Sequence, residues 1–125
     1  MSTKLHDVAS AAVLAASVPP QVATASVNGS AVDLLNGDGN AFATLFTGTV
    51  AGGTTVGGKV QESADGSTNW ADISGATFAN VTTSNAAQAI TFARTKRYVR
   101  SVVTVTGGSP SAGVCSAVGQ QKKVL

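Results

Sequence analysis

The chain has 125 residues, the size of one ordinary domain, with only 11% charged residues and a net charge of +2. That balance lacks the dense basic patch of a nucleic-acid binder. A single cysteine, Cys115, excludes an intrachain disulfide, and with the one histidine, His6, near the N-terminus, a zinc site and imidazole-based catalysis are nearly excluded.

A chain of this length can bury about two-thirds of its unfolded surface. A surface so poor in charge consists of Ser, Thr, Asn, Gly and Ala, and much of it is expected to be covered by partners. Residues 8–32 are uncharged, but Pro19, Pro20, Asn28 and Gly29 interrupt any membrane-spanning helix there. Lys4 precedes an Ala/Val/Leu run, as in a signal peptide. Asp7 opens that run and its hydrophobicity is weak, so the expectation is a protein made and kept in the cytoplasm until released.

Residues 1–25 read as an N-terminal arm. Asp7 is placed to cap a short helix over residues 8–17, which Pro19 and Pro20 would end. The alternative is an extended arm, because the run shows neither a helical stripe nor a strand alternation. A loose terminus and an arm that orders on a neighbouring subunit are both open readings.

From Val22 the pattern turns β. Residues 22–27 lead into the tight-turn pair Asn28-Gly29, and residues 31–35 form a short strand candidate. Asn36-Gly37-Asp38-Gly39-Asn40 reads as a turn. In residues 42–50, Phe42, Phe46 and Val50 share one face with Thr44 and Gly48, while Thr47 and Thr49 take the other. That is the alternation of a half-buried strand. Residues 51–58 read as a Gly/Thr-rich loop or bulged edge. Residues 60–73 read as strand, tight Asp65-Gly66 turn and strand, with Trp70 packed in the core.

A loop-rich crossing carries Phe78 and Val81, and residues 87–93 form a strand with Ile90 and Phe92 on one face. Residues 97–106 give the strongest strand signal, dense in β-branched side chains. Gly107-Gly108-Ser109-Pro110 is a turn. Residues 112–120 form the last strand, in which Cys115 reads as a small buried hydrophobe, and residues 121–125 a polar tail. The whole predicts an all-β fold: a jelly-roll-like antiparallel β-sandwich over residues 26–125 with the N-terminal arm ahead of it.

Candidate chemistry is thin. Glu62, Asp65 and Asp72 gather near one turn, and paired carboxylates are what glycoside hydrolysis uses. Asp65-Gly66 is explained by the turn, and aromatics at 5% are too few for a sugar cleft. Asp33 with residues 36–40 offers oxygen ligands for calcium but lacks the bidentate Glu. Ser63-Ala64-Asp65-Gly66 followed by Trp70 departs in spacing from sugar-binding and Asp-box signatures. Arg94, Lys96, Arg97 and Arg100 form the densest positive cluster. Strand parity separates Arg97 from Arg100, so only Arg94, Lys96 and Arg100 can share a side, read as a solvated strand entry or an interface with an acidic protein surface rather than as a phosphate site. No catalytic residue, metal ligand or cofactor is assigned.

The order of features is a Val32-Asp33-Leu34 strand, Val60-Gln61-Glu62-Ser63-Ala64-Asp65-Gly66 running to Trp70, Lys96-Arg97-Tyr98-Val99-Arg100, a Thr-rich strand and a final Ala/Val strand. Over residues 32–123 this resembles small structural proteins of tailed bacteriophages, especially capsid decoration (cement) proteins and related tail proteins. The resemblance implies a non-enzymatic protein on the outer capsid surface of a virion, made in the host cytoplasm. Such a protein bridges and stabilises neighbouring subunits of the major capsid protein. It implies a homo-oligomer, trimer or dimer, with no nucleic-acid or membrane partner.

The partner-contacting candidates are Leu5, Val8, Val13, Leu14 and Val18 in the arm, with Arg94, Lys96 and Arg100. An extended arm can add its backbone to a sheet edge, and many copies turn weak contacts into a durable coat. The alternatives are a tail, neck or fibre component, and a carbohydrate-binding adhesin that uses Trp70 and Tyr98 and requires Trp70 to be exposed.

Overall fold

The computed structural model describes residues 12–122, and every regular element among them is a β-strand. In chain order these are β1 (Ala12–Ala23), β2 (Val27–Asn28), β3 (Val32–Asp33), β4 (Gly37–Val50), β5 (Thr55–Ser63), β6 (Ala71–Val81), β7 (Ala87–Phe92), β8 (Tyr98–Thr106) and β9 (Ala112–Lys122). A four-stranded sheet has the order β1-β9-β4-β7. The second sheet has the order β2-β8-β5-β6, with β3 also on β8. All pairings are antiparallel, and the two sheets pack as a β-sandwich.

The pairing is nested. β1 pairs with β9, β2 and β3 with β8, β4 with β7, and β5 with β6. The chain is therefore one long hairpin whose tip is the loop at residues 64–70. Wrapped over, the hairpin also brings β4 onto β9 and β5 onto β8.

The interior is built from small and β-branched residues. Val18, Leu34, Leu45, Val56, Val60, Val99, Val103 and Val118 are buried, with Phe78 and Phe92 filling the wider parts. Each such side chain contributes about 1.5–3 kcal/mol on burial. Ala41, Ala43, Ala76 and Ala112 keep the sheets close.

Four local expectations are corrected. The stretch assigned to an arm contributes residues 12–23 to β1, an edge strand of the sandwich, so the described part of that stretch is extended and not helical. Pro19 and Pro20 are tolerated because β1 is an edge strand whose register shifts between Ala16 and Val18 and between Val18 and Gln21. Asn28-Gly29 does not turn a hairpin: β2 and β3 both lie on β8, and the Gly29 N–H donates to the Ser101 carbonyl at 2.8 Å. At the next turn, Gly37 donates to the Leu34 carbonyl at 2.9 Å and already opens β4, so the turn lies earlier than the Asn36–Asn40 cluster suggests. The predicted loop-rich crossing is mostly the continuous strand β6.

Hydroxyl groups join the sheets at the β1 side. Ser17, Ser101 and Ser116 are fully buried. Ser17 Oγ donates to the Ser30 carbonyl (2.8 Å) and accepts the Ser101 N–H (2.9 Å). Ser116 Oγ donates to the Thr44 carbonyl (2.6 Å) and shares a hydrogen bond with Ser101 Oγ (2.7 Å). A side chain at Gly29 would strike Ser17 Oγ and come within 2.6 Å of the Ser101 carbonyl, so only glycine fits beside this network.

Ser116→Ala leaves the Thr44 carbonyl and the Ser101 hydroxyl short of a partner inside the sandwich. The expected loss is about 1–3 kcal/mol, read from the urea midpoint. An unchanged midpoint would show that the network does not stabilise the fold.

Candidate binding face

Two outer faces result, and they differ in chemistry. On β9, Ala112, Val114, Ser116, Val118 and Gln120 point inward. β4 lies in the register Ala41 with Gln120, Ala43 with Val118 and Thr47 with Val114, which sends Ala41, Ala43, Leu45 and Thr47 inward. Phe42, Thr44, Phe46 and Gly48 therefore face outward. The Phe42 ring lies across Gly119 of β9, where a side chain would collide with it.

Away from one end, the outer face of the four-stranded sheet is uncharged. The only charged residues in its strands are Asp38 and Lys122, together at one end where Gly37 pairs with Lys122 and Asp38 with Gln121. Leu14 is 61%, Val22 73% and Phe46 45% exposed. Near the other end a shallow groove of about 350 Å³ is lined by Pro20, Val22, Phe46, Gly48, Gly113 and Cys115 among others. Gly48 and Gly113 form its floor because neither carries a side chain and their backbones lie side by side.

The outer face of the five-stranded sheet is polar. Lys59 Nζ pairs with Asp72 Oδ2 at 3.1 Å, and Gln61 Nε2 donates to Asp72 Oδ1 at 2.8 Å. Arg100 donates from Nε and Nη2 to Gln61 Oε1 at 3.0 and 2.8 Å, and its guanidinium lies 4.4 Å from the Trp70 ring centre. This ladder runs across β6, β5 and β8. Arg97 forms a bidentate pair with Asp33 (2.8 and 2.7 Å) and lies 5.0 Å from the Tyr98 ring centre.

The sequence-predicted residues scatter. Leu5 and Val8 lie outside the described residues. Val18 is fully buried in the chain's own core, so it is not a surface contact, and Val13 packs against that core. Leu14 is on the apolar face. Arg94 is a clamp inside the chain: it donates to Gln120 Oε1 (2.8 Å) and to the carbonyls of Lys96 (2.9 Å), Leu34 and Gly37. Lys96 is half-buried, and its backbone N–H donates to Glu62 Oε1 at 3.1 Å. Arg100 stacks on Trp70 on the opposite face from Leu14. No shared arginine–lysine surface forms.

The carboxylates have structural partners. Glu62 accepts from the Thr95 N–H (2.8 Å) and hydroxyl (2.9 Å). Asp65 does not make a tight turn. It organises the seven-residue loop instead, accepting from the Ser67 and Thr68 N–H groups (2.9 and 2.8 Å), the Thr68 hydroxyl (2.6 Å) and Ser63 Oγ (2.9 Å). The Thr68 hydroxyl, then these amides, hold its carboxyl well below the usual range. Asp33 is lowered to about 2 by its hydrogen bond with Arg97 and then by the Leu35 N–H. Among the described residues no three His, Cys, Asp or Glu side chains group as a metal site.

The residues missed by sequence reasoning are Pro20, Val22, Phe46 and Cys115. The available signal was the charge-free run of β1, β4, β7 and β9, which only the pairing order assembles into one face. The chain matches no known family, no curated protein and no solved structure.

Because the Asp33 and Asp65 carboxyls are depressed in the folded state, the stability they contribute is present above the ordinary carboxylate value and lost as pH falls toward their folded values. The urea midpoint is expected to drop between about pH 4 and pH 2, and to drop less steeply in Asp33→Asn. Identical acid limbs in the two proteins would remove Asp33 from the account.

Proposed function

We propose that this chain is a non-enzymatic structural subunit that binds the outside of a bacteriophage capsid and bridges neighbouring major capsid subunits. The observation that carries the subunit reading is the outer face of the four-stranded sheet, uncharged away from one end, with Leu14, Val22 and Phe46 open to water. Large apolar side chains left exposed on one face mark an interaction site. The capsid as the partner rests on the resemblance to decoration proteins.

The remaining polar groups support this reading. Arg94, Arg97, Glu62 and Asp65 have partners within the chain, which gives them a scaffolding use. The adhesin reading is weaker, because Arg100 covers a face of Trp70 and Gly66 lies against the Tyr98 ring. Sugar stacking needs an open ring face.

The test is to mix purified protein with expanded, undecorated capsids, image the particles and follow their heat inactivation. Added density at regular lattice positions and survival at higher temperature are expected. Bare capsids with unchanged heat resistance overturn the reading. Density confined to the tail would reassign the protein to a tail component.

A further inference from the structure

The groove on the apolar face is self-complementary. Its floor is Gly48 and Gly113, and beside it stand Phe46 and Val22, two exposed apolar side chains on the same face. A two-fold interface requires this property, since one patch must supply both the projecting groups and the hollow that receives them.

Charge points the same way. Away from the Asp38 and Lys122 end, the four strands offer no ionic group. Laid on its own copy, the face meets no like charge. A different protein partner is usually steered and held in register by complementary charges, and this face has none to offer. Uncharged, apolar patches are the mark of homodimer interfaces.

The dimensions suffice. Strands of 12, 11, 14 and 6 residues, ~4.8 Å apart with ~3.3 Å per residue, cover roughly 700 Å² per copy, and with the charged end left out a pair buries roughly 1,200 Å². That is the low end for a specific complex and suits a reversible dimer.

We propose that the face formed by β1, β9, β4 and β7 is an isologous dimer interface, in which Phe46 and Val22 of one copy enter the Gly48–Gly113 groove of a second copy. This rests on the reading of the apolar face as an assembly surface and names its occupant. The polar face with Trp70, Arg100, Gln61, Asp72 and Lys59 then points outward on both sides of the dimer.

The test is sedimentation of the purified full chain over a range of concentrations, without capsids. A monomer–dimer equilibrium is expected, shifted to monomer by Phe46→Asp and by Val22→Asp, and unchanged by Thr77→Asp on the opposite face. Circular dichroism checks that each variant is folded. Val22 is 73% exposed, so its variant keeps the test decisive if Phe46→Asp does not fold. Reaction of Cys115 with a maleimide, at the groove wall, is expected to slow as wild-type dimer accumulates.

A wild-type monomer at all concentrations, a trimer, or a dimer that persists in the folded Val22→Asp variant overturns the proposal. A monomer that still decorates capsids removes the dimer and leaves the capsid reading standing. A dimer that never binds capsids does the reverse.

Discussion

β4 can lie on β9 in two parities, and the inward side of β9 selects one of them. Ser116 needs the Thr44 carbonyl, and Gln120 needs Arg94 and the Gly39 carbonyl. A slip of one residue exchanges the two faces of β4 and sends Phe42 and Phe46 inward. Burying two phenylalanines would contribute about 1.5–3 kcal/mol each. Against this stand the polar groups that would lose partners and the close sheet spacing set by Ala41, Ala43, Ala76 and Ala112. The alanine side goes in, and the molecule acquires an apolar exterior.

From that register follows a division of labour between the sheets. The four-stranded sheet contributes alanines and serines among Val18, Leu45, Phe92, Val114 and Val118 to the inside, and apolar groups to the outside. The five-stranded sheet contributes valines to the inside and an ionic, aromatic ladder to the outside. Gln88 secures the other long edge. Its amide nitrogen donates to the Ala79 carbonyl and its oxygen accepts the Ala79 N–H, at 2.9 and 3.0 Å. A side chain thus imitates a strand and occupies backbone groups of β6 that could otherwise recruit another chain.

The fold class was legible because turn residues and β-branched runs alternate along the chain, and β8 announces itself by Val99, Val102, Val103 and Val105. The binding face was not legible. Period-two alternation tells that β4 has two faces but not which one is inside, because Phe42 and Phe46 are apolar on one side and Ala43 and Leu45 on the other. Residues 12–23 showed no alternation because both faces of β1 are apolar: Val18 packs inward while Leu14 and Val22 lie outward. The arginines were misread for a related reason. Their clustering in sequence is visible, whereas the partners of Arg94 at Leu34, Gly37 and Gln120 are far away along the chain.

The nested hairpin sets the order of events during synthesis. β9 is central in its sheet, yet it is the last described strand to leave the ribosome, and it pairs with β1 across nearly the whole chain. Contacts so distant in sequence form late and slowly. Until β9 arrives, β1 and β4 have no common neighbour, and the surface carrying Leu14, Val22 and Phe46 does not exist. A nascent or truncated chain thus has no finished sticky face to offer, so assembly is deferred to chains that have folded through β9.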